Sequence, residues 1–132
     1  MERRPRRNRS SQAIRNLTQE HWVTANDLIY PLFLLEGDKK KTEVDSMPGI
    51  YRYSLDLMLC EIETCLKLGI NGFDIFPVVE EAYKDKTATK SYDPDFFYLK
   101  ALRKIKETFP EALIITDVAM DPSSADGHDG LV

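Results

Sequence analysis

Cysteine is nearly missing from these 132 residues: there are two, Cys60 and Cys65. Read on one helix they lie about 140° apart around its axis, so they cannot bridge each other. A disulfide framework is excluded, and both are expected to be reduced packing residues in a reducing compartment. Long apolar runs are absent too. No stretch approaches the roughly 18 residues needed to cross a bilayer, and the opening MERRPRRNRSSQAIR lacks the apolar core of a secretory signal. A soluble protein with no membrane partner is expected. Glycine numbers six, and none builds the Gly-rich turn between strand and helix that cradles phosphate, which argues against a small phosphate-binding domain.

What is present suits one folded unit. With 42% hydrophobic and 30% charged residues the chain has enough apolar material for a real core. The net charge of -4 hides an asymmetry: residues 1–15 hold six arginines against one acid, while 16–132 hold twelve basic and twenty-one acidic residues, a net of -9. A basic arm thus precedes an acidic body. The arm has no interleaved aromatics and sits beside that acidic body, so no nucleic-acid partner is expected. Residues 1–25 are expected to form an extended N-terminal arm, with a short helix around Gln12 to Glu20, that packs on a neighbouring subunit. Residues 26–132 form the folded part.

The folded part alternates two grammars. DLIYPLFLLEG, closed by Gly37, is too continuous for a one-sided strand and reads as a strand covered on both faces, with Pro31 marking a bend or an edge. Pro48-Gly49 signals a turn. SLDLMLCEIETCLKLG then reads as a helix capped by Ser54, with Leu55, Met58, Ile62, Cys65 and Leu66 on its buried face and Gly69 past its end. INGFDIFPV is a second buried strand, and EEAYKDKTATKSYD a polar loop long enough to have a task. Asp93 is expected to cap a second helix with Pro94 at its first position, an apolar stripe of Tyr98, Ala101, Leu102, Ile105 and Phe109, and Pro110 as its stop. ALIITDVAM is the third strand. The order β-α-β-α-β predicts an α/β fold with parallel strands and right-handed crossovers. Three such strands close nothing, so the chain is either a very small open domain or the first part of something larger.

In parallel α/β folds chemistry gathers at the C-terminal ends of strands. The segment after strand three, TDVAMDPSSADGHDGLV, is the richest. On an extended backbone Asp117, Ala119 and Asp121 point to one face, and Gly127 permits the chain to bring Asp129 back. Three converging carboxylates need a hard cation, a cationic ligand or a proton, and the oxygens favour Mg²⁺ over Zn²⁺. A solvated turn at Asp126-Gly127 is the plain alternative. His128 is an auxiliary ligand or proton shuttle, or simply a hydrogen-bonded loop residue. A calcium loop is excluded, because Pro122 would fall at its first ligand position.

Several segments together resemble the porphobilinogen synthases, also called 5-aminolevulinic acid dehydratases. RPRRNR is similar to the start of that family's arm, LIYPLFLLEG to its first barrel strand, SMPGIYRYS to the segment after it, LGINGFDIFPV to strand two, and TDVAMDPSSADGHDG to the signature at strand three. The likeness covers essentially the whole chain, in order. It implies the first three βα units of a TIM (β/α)8 barrel, an arm-mediated homo-octamer, and the condensation of two 5-aminolevulinate molecules to porphobilinogen, with loss of two waters, for haem and chlorophyll synthesis. It also implies a cytoplasmic protein, or one of the plastid stroma in a photosynthetic eukaryote.

The family divides at its metal loop. Zinc-dependent members carry three cysteines at the positions of Ala119, Asp121 and Asp129, so this chain resembles the aspartate-bearing, magnesium-responsive type and no zinc is expected there. Asp117 matches an aspartate near the reacting substrates, and Asp121 and Asp129 would hold the metal or the amino group of the second substrate. Ser123 departs from the aromatic usual after Asp-Pro, so packing under the loop is expected to differ. The Schiff-base lysines of the family lie on later strands, outside this chain. The lysines present, Lys39 to Lys41, Lys84 and Lys86, read as loop residues. The chain is therefore expected to be the N-terminal portion of the enzyme and inactive alone; the alternative is a non-catalytic product that docks on full-length subunits through its arm.

Overall fold

The computed structural model describes residues 5–127, 129 and 130. Its centre is three parallel strands, β1 (Ile29–Leu35), β4 (Gly72–Pro77) and β5 (Leu113–Thr116). Two helices cross over between them on one face, α2 (Leu55–Lys67) between β1 and β4 and α3 (Phe97–Thr108) between β4 and β5. The α/β expectation is met. Alternation sorts the side chains: Leu32 and Leu34 of β1 and Phe73 and Ile75 of β4 are buried against Met58, Ile62 and Cys65 of α2 and Tyr98, Ala101 and Ile105 of α3. Burying side chains of this size contributes about 1.5–3 kcal/mol each and is what holds the crossovers to the sheet.

The sheet has five strands, not three. Between β1 and α2 the chain folds an antiparallel hairpin, β2 (Lys41–Val44) and β3 (Met47–Ser54), and β3 lies parallel to β1, giving the order β2-β3-β1-β4-β5. Sequence reading found only a turn in this segment. Its alternation is short and is broken by a bulge between Glu43 and Val44, and Gly49 at φ +82 donates its N–H to Glu43 Oε1 at 2.8 Å. Because β3 meets β1 only from Phe33 onward, that side of β1 is unpaired at Pro31, where a missing N–H is tolerated.

The two helix starts fare differently. Ser54 stands at the N-cap position of α2 as expected, but its hydroxyl accepts from the Lys40 N–H at 2.9 Å and donates to Asp56, so its side chain ties the helix to the hairpin and makes no capping bond. Asp93 does not cap α3. Its carboxylate accepts the Asp95 N–H at 3.0 Å and its carbonyl the Phe96 N–H at 3.0 Å, closing a turn in which Pro94 is second, and the helix begins only at Phe97. Proline suits the second position of such a turn as well as the first turn of a helix. Cys60 is exposed and only Cys65 is buried, both as free thiols.

Ahead of β1, α1 (Gln12–Leu17) is capped by Ser11 Oγ accepting the Ile14 N–H at 3.2 Å, and it buries nothing. Leu17, Trp22 and Val23 are 86%, 63% and 81% exposed. No helix among the described residues is long and apolar enough to cross a membrane.

Candidate functional site

β5 ends at Thr116, so Asp117 is the first residue of the loop at the C-terminal end of the sheet. Extension stops there: the Ser123 N–H donates to the Met120 carbonyl at 3.0 Å, a turn that takes Asp121 off the face shared by Asp117 and Ala119. Asp117 and Ala119 line a cavity of about 370 Å³ whose walls include Phe76, Tyr98, Leu102, Met120, Ser123 and Lys90. Asp121 does not. Gly127, at φ +71, turns the chain back as expected, and Asp129 Oδ1 then accepts the N–H of Met120 at 2.6 Å and of Asp121 at 3.3 Å. One carboxylate oxygen of Asp129 is thus committed to the loop's own backbone. Asp117, Asp121 and Asp129 are all exposed, and no three acidic, histidine or cysteine side chains among the described residues converge as a metal cage. His128 lies outside the described residues.

A second loop supports the first. In the segment between β4 and α3, Asp85 accepts the N–H groups of Thr87 at 2.9 Å and Thr89 at 3.1 Å. Its backbone bridges to Ser124 of the aspartate loop: Asp85 N–H to the Ser123 carbonyl at 3.3 Å, and Ala125 N–H to the Asp85 carbonyl at 3.1 Å. Ser123 and Ser124 are buried beneath this clamp. The backbone bond to Thr89, then the side-chain bond to it, hold the Asp85 carboxyl below its ordinary value. Ser123 is buried and lines the cavity.

Tyr98 and Lys90 are cavity residues that sequence reading did not select. Tyr98 Oη donates to the Ile75 carbonyl at 2.7 Å. Burial, then the charges of Asp74 and Asp117, push its hydroxyl up to about 12. It is a fixed neutral donor. Lys90 Nζ sits 2.7 Å from Asp93 Oδ2, and that bond raises its ammonium above the ordinary lysine value. Tyr98 was legible only as part of an apolar stripe, and Lys90 only as one lysine in a polar loop.

Comparison with known proteins decides the family. A family profile described as delta-aminolevulinic acid dehydratase matches residues 2–132. The chain belongs to the delta-aminolevulinic acid dehydratase family. It is 40% identical to the delta-aminolevulinic acid dehydratase of Bradyrhizobium diazoefficiens over 129 residues, covering 98% of this chain and 36% of that protein. With the Chlamydia pneumoniae enzyme it shares 40% over 131 residues, 99% of this chain and 40% of the relative. The chloroplastic enzyme of Hordeum vulgare is 38% identical over 133 residues, 100% of this chain and 31% of that one. Among solved structures, the Toxoplasma gondii delta-aminolevulinic acid dehydratase (porphobilinogen synthase), in complex with the reaction product porphobilinogen, matches with a TM-score of 0.92 and 42% identity, over 100% of this chain and 37% of that one. The chain therefore spans between 31% and 40% of the length of these relatives. The parallel strands and their crossovers are the opening units of the family's TIM barrel.

Proposed function

We propose that this chain supplies the arm and first three strands of a porphobilinogen synthase, which condenses two 5-aminolevulinate molecules to porphobilinogen with loss of two waters. The observation that carries the reading is the match of the whole chain, at a TM-score of 0.92, to a family structure that holds that product. Asp117, which lines the cavity together with Tyr98, would accept a proton or hold a substrate ammonium.

The nucleophile comes from elsewhere in the enzyme. A Schiff base needs a neutral amine, and the cavity lysine, Lys90, is held protonated by Asp93. Lys84 pairs with Glu81 at 2.6 Å, Lys40 Nζ donates to the Glu36 carbonyl at 3.1 Å, and Lys41 lies 4.1 Å over the Tyr51 ring. Incubation with 5-aminolevulinate and borohydride is expected to label no lysine of this chain and one lysine elsewhere in the full-length protein. A labelled Lys90 would overturn the assignment. In the full-length protein Asp117→Asn is expected to lower kcat about a hundredfold, the scale of a lost acid-base group, read by porphobilinogen formation.

For the metal, Asp121 and Asp129 offer hard oxygens and no thiolate, which suits a Mg²⁺ that keeps several waters and takes one or two carboxylates. When bound, the ion would supply positive charge at this loop. Asp129 also orders the loop through Met120 and Asp121. Mn²⁺ as a paramagnetic probe is expected to broaden the resonances of Asp121 and Asp129 in the parent and not in Asp121→Asn/Asp129→Asn. The exposed Leu17, Trp22 and Val23 favour an arm that docks on a second copy, in a homo-octamer. Removing residues 1–25 is expected to give smaller particles in sedimentation. The compartment is the cytoplasm, or the stroma as in the chloroplastic relatives.

A further inference from the structure

Asp74 is a carboxylate in the middle of an apolar strand, and nothing assigned so far to the site uses it. On β4 it lies between Phe73 and Ile75, both fully buried against the helices, so alternation turns it to the opposite face of the sheet. Its register partners on that face are Pro31 of β1 and Ile115 of β5. Neither side chain offers a donor. Asp74 Oδ1 is sealed from solvent and has no hydrogen-bond partner among the described residues. A carboxylate that loses the hydration of one oxygen to an apolar wall gains from a cationic partner on its remaining side.

Asp117 follows Ile115 by two residues, and with strand spacing and rise the two aspartates stand roughly 8 Å apart between backbones. Both charges bear on the Tyr98 hydroxyl. An organic cation has the directional N–H donors that a carboxylate half sunk in hydrocarbon requires.

We infer that Asp74 is a cation-binding carboxylate, holding an ammonium or guanidinium group on the face of the sheet away from the helices, one step below Asp117. The chemistry has two sources: a lysine or arginine side chain from elsewhere in the full-length protein, or the ammonium of 5-aminolevulinate. The second source rests on the proposed function.

The test uses the full-length polypeptide with Asp74→Asn and Asp74→Leu. Crystal structures with and without 5-aminolevulinate are expected to show a nitrogen within about 3 Å of the Asp74 carboxylate, in both states for a side-chain source and only with ligand for a substrate source. A side-chain cation is expected to make Asp74→Leu melt several degrees lower, with Asp74→Asn between it and the parent. A substrate ammonium is expected to raise KM at least tenfold in both variants with melting unchanged. Only water or carbon beside Asp74 in both crystals overturns the inference, as does an Asp74→Leu protein that melts at or above the parent with KM and kcat within twofold. A parent that forms no porphobilinogen defeats the functional reading alone, and the crystal and melting arms still decide Asp74.

Discussion

At the scale of single residues, the site depends on side chains that work on the backbone. Tyr98 is the clearest, since its hydroxyl donates to the Ile75 carbonyl from a buried position beside Asp117. Tyr98→Phe is expected to cost about 1–2 kcal/mol in urea unfolding, because a buried carbonyl loses its donor, and to loosen the cavity wall. Asp129 has the same kind of task in the loop. Its replacement by alanine is expected to speed hydrogen exchange at the Met120 and Asp121 amides by tenfold or more, with the exchange of Ile75 unchanged. The sequence showed the aspartates as a group and predicted that Gly127 would turn the chain. It did not show that Asp129 would spend one oxygen on backbone amides, because that contact depends on where the turn at Met120 to Ser123 places two N–H groups.

At the scale of elements, apolar periodicity predicted what was longest. Both helices bury the centre of the stripe that their spacing predicts, with Met58, Ile62 and Cys65 on α2 and Tyr98, Ala101 and Ile105 on α3, while Leu55, Leu66 and Leu102 are half-buried and Phe109 lies past the end of α3. Ile62→Ala is expected to cost about 2–5 kcal/mol, the range for a truncated aliphatic core side chain, read as a lowered denaturation midpoint. Helix starts were less legible. Ser54 and Asp93 have the chemistry of caps, but the Lys40 amide and the Asp95 amide compete for them and win.

The loop clamp adds a pH dependence. The Asp85 carboxyl in the folded chain lies below its usual 3.8, so its stabilisation is complete above about pH 4 and is lost as pH falls through the lowered value. Amide signals of Thr87 and Thr89 are expected to shift together in that acid range, while those of Leu32 and Leu34 in β1, a strand with no acidic residue, stay. A shift of these signals near neutrality would contradict the assignment.

At the scale of the whole molecule, the sheet leaves apolar surface unpartnered within this chain. Ile29 is 56% exposed, Leu113 59% and Val118 99%, and β5 pairs on one side only among the described residues. Such edges associate or soften. The 132-residue chain alone is expected to melt broadly and to bind a hydrophobic dye, whereas a sharp calorimetric transition would show that five strands and two crossovers suffice. The sequence by itself determined the α/β class, the order of the crossovers, the buried faces of both helices and the position of the aspartates after the third strand, because each follows from periodicity or from chain order. The tertiary structure alone decided that a hairpin joins the sheet beside β1, that Asp85 locks one loop to the other, that Tyr98 and Lys90 face the same cavity as Asp117, and that Asp74 Oδ1 has no hydrogen-bond partner among the described residues. These depend on contacts between residues far apart in the chain, and a local pattern carries no record of which distant surface will meet it.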